Sequence, residues 1–138
     1  LPQAFGTLDT VATFANIENV YRAMKRVIEE QFPMARYIGH FSHWYEWGCM
    51  LYARFIIDQA PDDAHEAAQL YNRIWDACLR AAIAEGGLLN EHHGIGLKLG
   101  RLMRELYGPA FGLLEHIKKA IDPGNIMNPG KMGFETFR

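Results

Sequence analysis

From Asn16 onward the chain alternates apolar and polar positions with a helical period. Ile17, Tyr21, Met24 and Ile28 recur every three or four residues, while Arg22, Lys25, Arg26, Glu29 and Glu30 fall on the other side. Pro33 disfavours a helical residue before it, so this helix stops there. The first fifteen residues show no such period and read as a loop or the tail of an upstream segment. Residues 36–45 and 49–57 are dense in aromatic and β-favouring residues, with Glu46-Trp47-Gly48 as a tight connection. An antiparallel hairpin is the simplest topology for such a pair.

After a turn over residues 58–63, Asp63 and Glu66 have the spacing of a capping box, with Asp in place of the usual Ser or Thr. The helix they open reaches about Ala84. Its apolar stripe is Ala64, Ala67, Tyr71, Ile74, Cys78 and Ala82, and Gly86-Gly87 ends it. Residues 88–91 read as a third short strand and residues 97–106 as a helix. Phe111, Leu114, Ile117 and Ile121 mark a last amphipathic helix, closed by Asp122-Pro123-Gly124. The remainder is an irregular tail. The pattern predicts an α+β fold, a small antiparallel sheet flanked by helices, in a single domain spanning residues 1–138. Three short strands leave exposed edges, so the sheet reads as incomplete.

Composition narrows this picture. The chain has 138 residues, 49% of them apolar and 22% charged, which fits one folded domain. Its formal charge of −2 removes the electrostatic argument for a nucleic-acid partner. No apolar run is long enough for a membrane span. The opening LPQAFGTLDT is neither a signal nor a transit peptide, so the chain reads as processed or as one piece of something longer, with a cytoplasmic location expected. Cys49 and Cys78 could pair, but two buried thiols in a reducing compartment are the simpler reading.

Four stretches carry candidate chemistry. In a regular strand Phe41, His43 and Tyr45 share one face, which sets an imidazole beside a phenol, a pair suited to moving a proton. Asn90-Glu91-His92-His93-Gly94-Ile95-Gly96 places a carboxylate next to two imidazoles, an acid–base or metal-ligand cluster whose glycines allow a sharp turn or a ligand's close approach. Lys98, Arg101 and Arg104 form a positive stripe that either receives a carboxylate or phosphate or is a solvated face. Asp122 opens DPGNIMNPGK, a rigid, much-turned segment suited to packing against a partner or a cofactor edge.

Taken together, GHFSHWYEWGCMLYARF, GGLLNEHHGIGLKLG and LLEHIKKAIDPGNIMNPGK resemble the C-terminal portion of the FAD-linked oxidases of the vanillyl-alcohol oxidase type, over about residues 17–131. The resemblance implies a ferredoxin-like half of a cap domain over about residues 16–106. It also implies a helix and tail, about residues 107–138, returning to an FAD-binding domain that lies on the same longer polypeptide or on another chain. FAD would be bound mainly by that absent domain, and this chain by itself would be inactive. Ser42-His43-Trp44-Tyr45 and Glu91-His92-His93-Gly94 are similar to the alkyl-dihydroxyacetonephosphate synthase branch, with Glu91 in place of a first histidine. Glu91-His92 and Gly39-His40 are similar to the D-lactate, glycolate and D-2-hydroxyglutarate dehydrogenase branch. That branch's longer motif is broken, with Trp47 where its second metal-ligand histidine would stand. The break counts against a divalent metal; if one is held, His40 and Glu91 are the ligands.

The resemblance further implies Tyr45, His92, His93 and Glu91 as catalytic residues and His43, Asn90 and Arg101 as contacts to a small-molecule substrate. Gly94, Asn128 and Lys131 would touch the cofactor. The activity implied is oxidation of a small hydroxyacid or related hydroxyl substrate. A redox-neutral synthase, a phenol-oxidising flavoenzyme and a non-catalytic cap-fold binding module are the alternatives. No nucleic acid and no membrane span enter, and a homodimer is open.

Overall fold

Why a sheet forms here follows from which strand faces are apolar. A computed structural model describes residues 3–134, which fall into two compact units divided between His93 and Gly94. In the first, β1 (Ala4–Thr13), β2 (Ala35–Trp44), β3 (Gly48–Ile57) and β4 (Leu88–Leu89) make one antiparallel sheet in the order β2-β3-β1-β4. Leu8, Ala12, Leu51, Ala53, Phe55 and Ile57 share one face and are almost completely buried. They pack under α1 (Ile17–Gln31) and α2 (Ala64–Ala84). Those helices contribute Val20, Met24, Ile28, Ile74, Cys78 and Leu79 to the same core.

The largest departure from the sequence reading is β1. The stretch expected to be a loop is a central strand, hydrogen-bonded to β3 on one side and β4 on the other. Its residues 8–12 are all buried, so no alternation of apolar and polar positions marks it. The small sheet thus has a fourth strand, contributed by the chain's own beginning. β4 is shorter than expected, only two residues, and in place of the helix expected over residues 97–106 the α-helix runs over Met103–Tyr107.

The predictions for α1 and α2 hold, with a rotated face on α2. Asp63 caps it, its carboxylate accepting a hydrogen bond from the Glu66 amide at 2.9 Å. Leu70, Trp75 and Leu79 join Ile74, Cys78 and Ala82 in the core, whereas Ala64 lies exposed on the first turn. On α1, Tyr21 leans over β2 against Tyr37 and Phe41. Gly39 makes room for it, since a Cβ there would lie 2.6 Å from the Tyr21 ring. Cys49 and Cys78 are both buried and free, and burial pushes the Cys78 thiol up to about 12.

The second unit is built from short pieces. After a 3₁₀ turn at Gly100–Leu102 come α3 (Met103–Tyr107), a second 3₁₀ turn at Gly108–Ala110 and α4 (Phe111–Ile121). The DPGNIMNPGK loop is tied to the end of α4 by Asp122. Its buried carboxylate accepts from the amides of Ile126 at 3.0 Å and Met127 at 2.9 Å and pairs with Lys118, whose ammonium also reaches the Met127 carbonyl at 2.5 Å. Among the described residues no helix is long and apolar enough to cross a membrane.

Candidate functional site

The sheet face away from the helices carries the polar cluster. In the register of the sheet, His40, Tyr52 and Asp9 form one row across β2, β3 and β1. Beyond β4 the Asn90 amide donates to the Asp9 carbonyl at 2.8 Å, and Asn90 then takes a positive φ of 63°. That turn brings Glu91, His92 and His93 back over the row. The His92 ring stacks on Tyr52, with centroids 5.9 Å apart and planes 19° from parallel, and His93 lies 5.7 Å from the same ring.

A local irregularity completes the cluster. The pairing of β2 with β3 passes from Ser42 opposite Met50 to Trp44 opposite Cys49, leaving His43 as a bulged residue with φ of 46°. Phe41 therefore stays on the helix side beside Tyr21, whereas His43 and the turn residue Tyr45 reach Glu91. The expected shared face of Phe41, His43 and Tyr45 is broken by this bulge.

Two carboxylates organise three imidazoles and a phenol. Glu91 Oε1 accepts a hydrogen bond from the Tyr45 hydroxyl, and Glu91 Oε2 meets His43 Nδ1 at 3.1 Å and His92 Nδ1 at 2.7 Å. Asp9 Oδ2 accepts from the backbone amides of Glu91 at 2.7 Å and His92 at 3.3 Å; Asp9 Oδ1 meets His93 Nδ1 at 2.6 Å. The Asn90 side-chain oxygen accepts from the His93 amide at 2.8 Å. The carboxylates lie beneath the rings, with side-chain exposures of 7% for Asp9 and 17% for Glu91 against 39% for His92 and 50% for His43. Each imidazole spends Nδ1 on a carboxylate, and none of the three Nε2 atoms has a hydrogen-bond partner among the described residues.

The electrostatics follow from these contacts. The Tyr45 hydroxyl, then His43 and His92, hold the Glu91 carboxyl below its ordinary range against the opposing effect of burial. Glu91 in turn raises the Tyr45 phenol, which stays protonated. Burial alone would raise Asp9, but the Glu91 amide, the His93 ring and the His92 amide together outweigh it and lower the carboxyl. Both acids are thus ionised at neutral pH.

Among the described residues, two triads bring ligand-type atoms within 4.8 Å of one another: Asp9, His92 and His93, and His43, Glu91 and His92. They compete for His92. Every carboxylate oxygen and every facing ring nitrogen in them is already spent within the hydrogen-bonded cluster, and His40 belongs to neither. As arranged, the carboxylate oxygens and the Nδ1 atoms of these groups are hydrogen-bonded to one another, so a metal would have to displace those protons.

The other sequence candidates lie in the second unit. Arg101 is an exposed residue of the first 3₁₀ turn. Lys98, before it, is half-buried and its ammonium is lowered to about 8, by burial and then by the Arg101 charge. Gly94 has φ of 83°, with open space where a Cβ would stand. Asn128 has φ of 49°, and its carbonyl accepts from the Lys131 amide at 3.2 Å. Sequence reasoning missed Asp9 and Tyr52. The run of β-branched residues Thr7, Thr10, Val11 and Thr13 around Asp9 was the available signal for a strand that carries it.

Residues 4–132 match the family described as FAD linked oxidases, C-terminal domain. The chain is 30% identical over 131 residues to the FAD-linked oxidoreductase YgcU of Escherichia coli (strain K12), covering 90% of this chain and 27% of that protein. It is likewise 30% identical over 131 residues to the alkyldihydroxyacetonephosphate synthase of Trypanosoma brucei brucei, covering 90% of this chain and 21% of that one. A third relative is D-lactate dehydrogenase [cytochrome] 1 of Saccharomyces cerevisiae, 30% identical over 131 residues, covering 94% and 20%. A solved alkyldihydroxyacetonephosphate synthase structure superposes with a TM-score of 0.59 at 20% identity, over 92% of this chain and 20% of that one, a likeness of fold. The chain therefore spans between a fifth and about a quarter of the length of these relatives. With its family model matched almost end to end and its sheet and helices those of a cap subdomain, the chain belongs to the FAD-linked oxidases, as their C-terminal domain.

Proposed function

We propose that the chain is the substrate-side portion of an FAD-dependent oxidoreductase acting on a small hydroxyacid or related hydroxyl substrate. The observation that carries this reading is the hydrogen-bonding pattern that three imidazoles share, each with Nδ1 on an ionised carboxylate and Nε2 unpartnered among the described residues. Oxidising a hydroxyl substrate removes a proton from oxygen as a hydride leaves carbon. A neutral imidazole with a free Nε2 lone pair is suited to the first half. Bound FAD supplies the acceptor for the hydride.

In this reading His92 or His93 takes the hydroxyl proton. Glu91 holds His92 in orientation and stabilises the imidazolium that forms, as the third member of such arrangements does. Tyr45, kept protonated by Glu91, donates a hydrogen bond to the developing oxyanion once substrate displaces its carboxylate partner. In the first unit His43 and Asn90 contact the substrate. The flavin domain lies on the same longer polypeptide or on another chain, a view supported by the small share of each relative that this chain spans. Gly94, Asn128 and Lys131 meet the cofactor's edge. The exposed apolar residues Ile117, Ile121, Ile126 and Met127 of the second unit are the surface onto which that domain returns.

A redox-neutral synthase reaction is the second reading, favoured by the phenol of Tyr45 set against Glu91 in a chain with a synthase relative. The two separate on the flavin-containing protein mixed anaerobically with D-lactate, other D-2-hydroxyacids and alkyl-phosphate precursors. Bleaching of the flavin by a hydroxyacid, slowed by about 10²–10⁴ in His92→Ala and in Tyr45→Phe, is the expected result. Product from an alkyl-phosphate precursor with no net bleaching favours the synthase. Parental rates in both variants overturn the catalytic reading.

A further inference from the structure

We propose that Asp9 is the positioning residue of this site, fixing His93 as the Nδ1–H tautomer so that its Nε2 carries the lone pair. This assignment rests on the reading in which the cluster accepts a substrate proton, and it adds a residue 84 positions before His93. Asp9 sits on β1, the strand hydrogen-bonded on both sides, opposite Tyr52. Its Oδ2 is occupied by the backbone amides of Glu91 and His92, which leaves Oδ1 for His93 Nδ1 at 2.6 Å. An ionised carboxylate only accepts hydrogen bonds, so the shared proton belongs to the imidazole nitrogen, and the neutral ring keeps its lone pair on Nε2.

The neighbouring imidazoles are held differently. Glu91 Oε2 is divided between His43 and His92, and its other oxygen serves Tyr45. His93 alone has a carboxylate oxygen to itself, and its backbone amide is pinned by Asn90 at 2.8 Å. Of the three rings it is the one whose carboxylate oxygen serves no second imidazole, and that carboxylate is nearly removed from water.

A purely structural Asp9 would hold the backbone of residues 91–92 and leave the ring's proton unassigned. Nitrogen NMR of the flavin-containing protein with ¹⁵N-labelled histidine separates the two, at a pH where the rings are neutral. The parent His93 is expected to carry its proton on Nδ1. In Asp9→Asn the backbone amides keep the side-chain oxygen, the amide NH₂ faces His93 Nδ1, and the proton moves to Nε2. A parent His93 protonated on Nε2, the form an unconstrained imidazole favours, overturns the assignment, and that spectrum needs no variant to fold. A parental rate of flavin bleaching by D-2-hydroxyacids in His93→Ala, with Nδ1–H seen in the parent, overturns the proton-acceptor role of His93 and upholds its positioning by Asp9.

Discussion

The two units of the chain bury their apolar residues to very different degrees. In residues 3–93, Val20, Met24, Leu51, Phe55, Ile57 and Ile74 are completely enclosed between sheet and helices. In residues 94–134 the buried apolar side chains are Leu99, Leu102, Met103 and Phe111, while Leu113 is 64% exposed, Ile121 72% and Ile126 83%. α4 is amphipathic too, though less so than α1, and it buries only Phe111 where α1 buries Ile17, Val20, Met24 and Ile28. The first unit can therefore hold strained and charged groups against a core of its own. The second keeps an apolar face uncovered, and its DPGNIMNPGK loop is held by polar ties to Asp122.

The sharpest way to break this contrast is through chemistry, because the proposed acid–base groups all lie in the first unit. Glu91→Gln removes the charge that three donors share. It should slow flavin bleaching by about 10²–10⁴, measured by anaerobic stopped-flow absorbance. A rate within threefold of the parent would move the chemistry elsewhere. Next in size is the core itself. Phe55→Ala, at a fully buried ring against Tyr71, should cost about 3–5 kcal/mol in urea unfolding.

Two pH effects separate the units more finely. The folded Asp9 carboxyl lies below its unfolded value. The stability it contributes is therefore present above about pH 4 and lost as pH falls through the folded value. Asp9→Asn should destabilise by about 1–3 kcal/mol at pH 7 and by less in strong acid. Lys98, lowered to about 8, has the opposite pattern. Between about pH 8 and about pH 10.4 the unfolded chain binds the extra proton, so the second unit should gain stability as pH rises through that window. Lys98→Met should abolish the rise, read from unfolding midpoints at pH 7 and pH 10.

How far these features were legible in the sequence depended on whether local pattern or long-range pairing set them. α1, α2 and the β2–β3 hairpin rest on periodicity, a cap and a short turn, so residues 16–84 read correctly in outline. β1 did not, because residues 8–12 are buried on both faces, by the helices on one and by the returning 90–93 turn on the other, which leaves no solvent-facing side to alternate with the core. Missing β1 meant missing Asp9, whose partners are 82 to 84 residues away. Glu91 beside two histidines was visible as a cluster, but the bulge at His43 that brings His43 and Tyr45 to it was not. A positive φ at a histidine has no signature in neighbouring residue types.

The smallest effect tests the uncovered face. Ile121 is 72% exposed at the end of α4, so Ile121→Ser removes little buried area and should change the stability of this chain by no more than about 0.5 kcal/mol. In the flavin-containing protein the same substitution should cost more, about 1.5–3 kcal/mol for an isoleucine buried against a partner surface. Urea unfolding of both forms, with hydrogen exchange over residues 111–127, reads the difference. Equal small costs in the two would leave the apolar face of α4 facing water, and the comparison between the units would then reflect an intrinsically weak second unit rather than one completed by a partner. A large cost already in this chain would mean that Ile121 is buried, against its exposure here. The expected asymmetry ties the apolar residues of the second unit to the flavin domain, since only a surface covered in one form and open in the other makes one substitution neutral and damaging by turns.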